Sequence, residues 1–167
     1  VSLAIAAPIG IFAAIFLVEY AKKGSRFVKL IRITAETLSG IPSIVYGLFG
    51  MLFFVTALHW GMSLLSGALT MVIMVLPLIM RTAEEALKSV PDSYREASFG
   101  LGAGKLRTIF TIVLPSAVPG ILAGVILAIG RVVGETAALL YTSGTVAAVP
   151  NSLMGSGRTL AHFHPHR

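Results

Sequence analysis

The 167-residue chain is 56 % hydrophobic and only 12 % charged, with a formal net charge of +6 and no cysteine; its mean hydropathy is +0.89. Soluble domains carry roughly 25 % charged residues, so too little polar surface is present here to coat a water-soluble globule, and the bilayer is the expected solvent. The basic excess needs no nucleic acid, because loops facing anionic lipid account for it and an aromatic-interleaved basic surface is missing; the lack of cysteine excludes a disulfide framework, a thiolate metal site and a catalytic thiol.

The first apolar run covers residues 1–18, just long enough for a span at ~20 residues per ~30 Å of hydrocarbon. With no initiator Met and no basic region ahead of a cleavage site, it reads as a span truncated upstream, not a signal peptide. Lys22, Lys23, Arg26, Lys29 and Arg32 then alternate with Phe27, Val28, Leu30, Ile31 and Ile33, the pattern of an interfacial amphipathic helix. A second apolar run, 38–58, is entered through the break Ser39-Gly40-Ile41-Pro42-Ser43, and a third, 62–80, follows the short turn His59-Trp60-Gly61. So short a link makes these two spans antiparallel, with His59 and Trp60 at the aromatic level of an interface. The basic stretch 22–32 and the charged segment 81–109 flank this hairpin and therefore share one side, which the positive-inside rule makes cytoplasmic. A fourth run, 110–140, is interrupted only by Arg131 and Glu135, and the Gly-, Ser-, Thr- and Pro-rich stretch 142–158 reads as an external loop. No internal repeat is evident.

Within the charged segment, Pro91 should end the helix descending from the third span, and Ser93-Tyr94-Arg95-Glu96 has the form of a capping box that starts another. Gly100, Gly102 and Gly104 stop that helix within two turns. The expected product is a short elbow at the membrane surface, which any re-entering chain could need. The residues on it are more specific. Glu96-Ala97-Ser98, then Gly102, then Ile112-Val113-Leu114-Pro115 resemble the EAA loop of ABC importer permeases at every spacing, with Ser98 the sole departure, in place of a second Ala. The resemblance implies an all-α integral membrane fold, the type I ABC importer permease (MetI-like) helical bundle, here truncated at both ends. It also implies that Glu96, Ala97, Ser98 and Gly102 dock into ATP-binding cassette ATPase subunits. Gly100–Lys105 is not itself a nucleotide loop, since Phe99 stands where a Walker A motif needs its first Gly and Leu106 where it needs Ser or Thr.

Arg131 lies about 22 Å into the fourth run at 1.5 Å per residue, where a charge is costly, and Glu135 follows four residues later. On one helix face the two could simply neutralise each other. Alternatively Arg131 guides an anion along a pore, its planar fork suiting a tetrahedral oxyanion. Gly40-Ile41-Pro42-Ser43-Ile44-Val45-Tyr46-Gly47-Leu48-Phe49-Gly50 and Arg131-Val132-Val133-Gly134-Glu135-Thr136-Ala137 look like the phosphate-specific ABC permeases, a resemblance covering about 1–161. It implies a substrate pathway through Arg131, Glu135 and Arg81, although an Arg at the end of a span, as Arg81 is, is also the usual snorkelling anchor.

The resemblance further implies a multi-pass subunit of a bacterial or archaeal cytoplasmic (inner) membrane. It works with ATPase subunits, a second permease subunit (PstC-like) and a periplasmic phosphate-binding protein, in contact with membrane lipid and without nucleic acid. No catalytic residue, cofactor or metal is expected in the chain. The resemblance covers residues 1–161 as one transmembrane domain and departs at the tail 162–167, where His162, His164 and His166 lack the surroundings that fix metal ligands. A permease for sulfate or molybdate and a non-transporting structural subunit remain open readings; a membrane-embedded enzyme does not, since apart from Glu135 the acids lie outside the apolar runs.

Overall fold

The computed structural model describes residues 1–22, 24–60, 62–135, 138 and 141, so the predicted external loop at 142–158 and the tail at 162–167 lie outside the described residues. Regular structure among the described residues is helical throughout. Helix α1 (Ser2–Ile15) runs on into a π turn (Phe16–Tyr20), α2 covers Arg26–Ser39, and α3 (Ser43–Gly50) runs on into a second π turn (Met51–Ala57). Helix α4 covers Leu64–Ser89, α5 Asp92–Gly100 and α6 Lys105–Thr108; a third π turn (Ile109–Val113) joins α6 to α7 (Leu114–Gly134).

Three of these units are long and apolar enough to cross a membrane: Ser2–Tyr20, Leu64–Ser89 and Lys105–Gly134. The fourth candidate is a broken one. Helices α2 and α3 meet at 99° across the Gly40-Ile41-Pro42 break, because Pro42 takes an extended backbone (ψ 142°) ahead of α3 and cannot continue a helix. Helix α2 keeps the amphipathic character expected of it, with Val28 buried and Ile31, Ala35 and Leu38 packed on the core, while Phe27, Leu30 and Ile33 stay exposed on another face.

Helix α4 is the central element. Its entry is fixed by a reciprocal cap in which the Ser66 amide donates to Ser63 Oγ and the Ser63 amide to Ser66 Oγ, both at 3.2 Å, so two orphan donors are satisfied at the start of the span. Helix α1 lies parallel to it, with Ala6 among Met71, Met74 and Val75 and Ala14 among Ala83 and Leu87. Helix α7 lies antiparallel. A Cβ built on Gly120 would meet Ala86 Cβ at 2.7 Å, and one on Gly124 would meet Thr82 Oγ1 at 2.1 Å and Thr82 Cβ at 2.7 Å. Such small residues let helix backbones approach where lipid supplies no hydrophobic drive. Gly124→Ala is therefore expected to destabilise the bundle by about 1–3 kcal/mol, read as a lower thermal midpoint in detergent, with Thr82→Gly partly restoring it; an unchanged midpoint would mean that the two helices do not meet at this point.

The elbow begins differently from the sequence expectation. Ser93 is not its cap: α5 starts at Asp92, with Pro91 in the capping position and no side-chain cap bond. Pro91 fixes the entry dihedral, and Asp92 sits in the first turn where the helix dipole favours a carboxylate. The glycine stop holds, since α5 ends at Gly100 and Gly102 takes a φ of +80° that favours glycine.

Candidate functional site

The elbow helix α5 has two faces with different work. Ser93, Glu96, Ala97 and Gly100 are exposed. On the opposite face Ser98 is buried, its Oγ 2.8 Å from Thr108 Oγ1, which closes the loop between α5 and α6 around the Gly102 turn. Ser98 thus faces into the protein, whereas Glu96 and Ala97 face out and Gly102 is exposed at the turn. The hydroxyl that departs from the small apolar residue of the motif has an internal partner, and this explains how a polar group is tolerated there. Tyr94, Leu101 and Arg107 line a shallow groove beside the exposed face.

Arg95, which the sequence reading did not single out, ties this helix to two spans. Its Nη2 lies 2.8 Å and its Nε 3.1 Å from Glu19 Oε1, at the end of the first span. Its Nη2 also donates to the Leu87 carbonyl (3.0 Å) and its Nη1 to that of Val90 (2.9 Å), at the end of α4, where helix carbonyls lack partners. The pair joins residues 76 apart in sequence, so no local pattern could reveal it.

Two further charge clusters occupy the same end of the bundle. Buried Glu84 receives both Arg32 and Lys88 (Lys88 Nζ at 2.6 Å) on one carboxylate oxygen, binding α2 to α4. Arg81 is half-exposed, 3.2 Å from Glu85 and 3.8 Å from Glu36, so its charge is balanced at the surface of the bundle and the structure does not bring it to Arg131.

Arg131 is placed otherwise. The Gly120–Ala86 and Gly124–Thr82 approaches set a register that brings Arg131 level with about Val75, roughly 9 Å deeper along α4 than Arg81 at 1.5 Å per residue. Ala128, one turn before it, is buried with Met71, Met74 and Val75. Helix α7 ends at Gly134, and Glu135 leaves it with an extended backbone (ψ 121°). Its Oε1 then accepts from the Ala138 amide at 3.3 Å. The i,i+4 spacing consequently makes no ion pair: among the described residues Arg131 has no carboxylate partner. Among the described residues no cluster of three potential metal ligands occurs.

This arrangement combines apolar spans, a charged elbow and a half-buried arginine that has no carboxylate partner among the described residues. The family model described as binding-protein-dependent transport system inner membrane component matches residues 6–160. The chain belongs to that family. It is therefore an integral membrane chain of the type I ABC permease fold and a membrane component of an ABC transport system. It is 43 % identical over 144 residues to the probable ABC transporter permease protein YqgI of Bacillus subtilis, covering 86 % of this chain and 49 % of that protein. It is 42 % identical over 144 residues to the phosphate transport system permease protein PstA 1 of Mycobacterium tuberculosis, covering 86 % and 47 %. With the phosphate transport system permease protein PstA of Yersinia pestis the identity is 43 % over 139 residues, covering 83 % and 46 %. The chain thus spans about half the length of the curated relatives it matches.

Proposed function

We propose that this chain forms part of a membrane-spanning permease subunit of an ATP-driven importer for inorganic phosphate, and that α5 is its coupling element. The observation that carries this reading is the two-faced elbow: Glu96 and Ala97 are exposed on one side, while Arg95 and Ser98 fasten the other to the spans. A helix fixed on one face and bare on the other can pass the movement of a docked partner to the bundle. The charged end is cytoplasmic, in keeping with its basic residues, and the membrane is the bacterial inner membrane. The partners are ATP-binding cassette ATPase subunits, on which ATP is hydrolysed, a second permease subunit (PstC-like) and a periplasmic phosphate-binding protein; the spans lie in membrane lipid.

The cargo follows from Arg131 and from the relatives named for phosphate transport. A half-buried guanidinium on a membrane-spanning helix, without a carboxylate partner among the described residues, is costly unless it faces water or an anion, and its fork can donate paired hydrogen bonds to phosphate. Glu135, released from the helix, sits beside this pathway and tempers its positive potential so that the anion can leave. Arg81 stands about two turns nearer the cytoplasm as a secondary, already neutralised contact. No bond is made or broken by the chain; alternating access of the paired permeases does the transport.

The docking claim is tested by cysteines in the full-length permease, co-expressed with its ATPase. Ala97→Cys is expected to crosslink to a cysteine in the ATPase cleft with a yield that changes on adding ATP, while Ser98→Cys, buried, crosslinks far less. Equal yields at both positions, or none at Ala97→Cys, would remove α5 as the socket. Uptake of labelled phosphate in competition with sulfate and molybdate reads the cargo.

A further inference from the structure

At the charged end of the bundle a cavity of about 710 Å³ opens between the π turn after α1, the start of α2, the end of α4, α5 and α6. Lys22, Arg32, Lys88, Arg95 and Lys105 line it. The acids that face these cations are already engaged: Glu19 and Asp92 both lie on Arg95, and one oxygen of Glu84 serves both Arg32 and Lys88. Five cations thus meet three carboxylates. The surplus falls on Lys22 and Lys105, which have no carboxylate partner among the described residues; Lys105 instead sits 4.8 Å over the Tyr20 ring. Two unneutralised ammonium groups on one concave surface attract an anion. Neither is used by the coupling or the substrate pathway proposed above.

We propose that this cavity is a binding site for a phosphate-bearing anion, seated by Lys22 and Lys105, with an anionic phospholipid headgroup as its source. The other wall favours the lipid. Leu17, Val18, Val28 and Phe99 also line the cavity, and α2, which forms one side, exposes Phe27, Leu30 and Ile33 outward. A free phosphate ion gains nothing from apolar walls, whereas a phospholipid brings its phosphate and its acyl chains together at this depth. The placement of the cavity at the cytoplasmic leaflet rests on the sidedness proposed above; the ligand chemistry does not. Bound there, the headgroup would touch the π turn after α1, α2, α4, α5 and α6 at once, and so brace the elbow against the spans.

The test uses the assembled full-length transporter purified from phosphatidylcholine nanodiscs with and without phosphatidylglycerol, and reads lipid retained per complex by mass spectrometry. The parent is expected to retain phosphatidylglycerol selectively, and Lys22→Gln/Lys105→Gln to lose that retention by roughly tenfold or more, at about fivefold per lysine near a surface. Arg26→Gln/Lys29→Gln, basic residues of α2 that do not line the cavity, is expected to keep it. Labelled inorganic phosphate is added to the complex in neutral lipid without the binding protein. Binding abolished by the Lys22/Lys105 change would uphold the site and assign it to free phosphate. Equal loss in both double variants would mean diffuse surface charge, and retention unchanged in the Lys22/Lys105 variant would remove the site; either overturns the proposal. Because no transport is read, this result is separate from a failure of the crosslink at Ala97→Cys or of phosphate uptake.

Discussion

Replacing Arg131 with glutamine is expected to lower phosphate uptake roughly 10- to 100-fold, the worth of a charge-assisted hydrogen bond of about 1.5–3 kcal/mol. The side chain is half-buried in a helix whose neighbouring Ala128 is fully buried, and among the described residues it has no carboxylate to lose. Removing its charge therefore strands no partner, and the protein should reach the membrane in normal amount. The loss falls on the anion. Arg131→Lys keeps the charge without the fork and should fall between the two. Arg81→Gln is expected to cost less than about fivefold, because Arg81 is half-exposed against Glu36 and Glu85 and surface pairs of that kind contribute about 1 kcal/mol or less. The measurement is labelled phosphate uptake in cells relying on this system, normalised to membrane-protein abundance. If Arg131→Gln transports like the parent, Arg131 is a packing residue and the pathway lies elsewhere.

What could be read in advance follows from the range of each interaction. Apolar runs are properties of single segments, so the long apolar helices Ser2–Tyr20, Leu64–Ser89 and Lys105–Gly134 overlap the first, third and fourth runs, although the last of them ends at Gly134, short of the expected 140. Pro91 and the glycines after residue 99 likewise punctuate the chain locally, and the elbow between them is where the pattern puts it. The direction of a break is not local. Gly40-Ile41-Pro42 announces an interruption in the sequence, and Pro42's extended backbone makes the break, but the 99° between α2 and α3 also depends on how each packs on α4.

The same limit applies to the site. The Glu96-Ala97-Ser98 motif is visible, yet which of its residues face inward depends on Thr108, ten residues on. The i,i+4 relation of Arg131 to Glu135 holds only while both are helical, and α7 stops between them. Arg95 carries no local signal in the sequence; its partners are Glu19, Leu87 and Val90.

Arg95→Ala is expected to be the most damaging single change at the charged end, destabilising the assembled protein by about 3–5 kcal/mol. The Glu19 and Arg95 side chains are only 9 % and 14 % exposed, so truncating one leaves a carboxylate shielded from water without its counter-charge, and the Leu87 and Val90 carbonyls lose their donors. Glu19→Gln is milder, since a neutral amide still accepts from the guanidinium. The informative variant is Glu19→Gln/Arg95→Met, which fills similar volume and leaves no unpaired charge. Its thermal midpoint in detergent should recover most of the loss seen for Arg95→Ala. The elbow would then be held to the first span by packing alone, without hydrogen bonds that fix its angle. If α5 transmits ATPase closure through this contact, the double variant should hydrolyse ATP at the parent's rate with fewer phosphates moved per ATP. Recovery of both stability and transport would confine Arg95 to folding, and the drive from α5 would have to reach the spans through Ser98, Thr108 and the start of the Lys105–Gly134 helix instead.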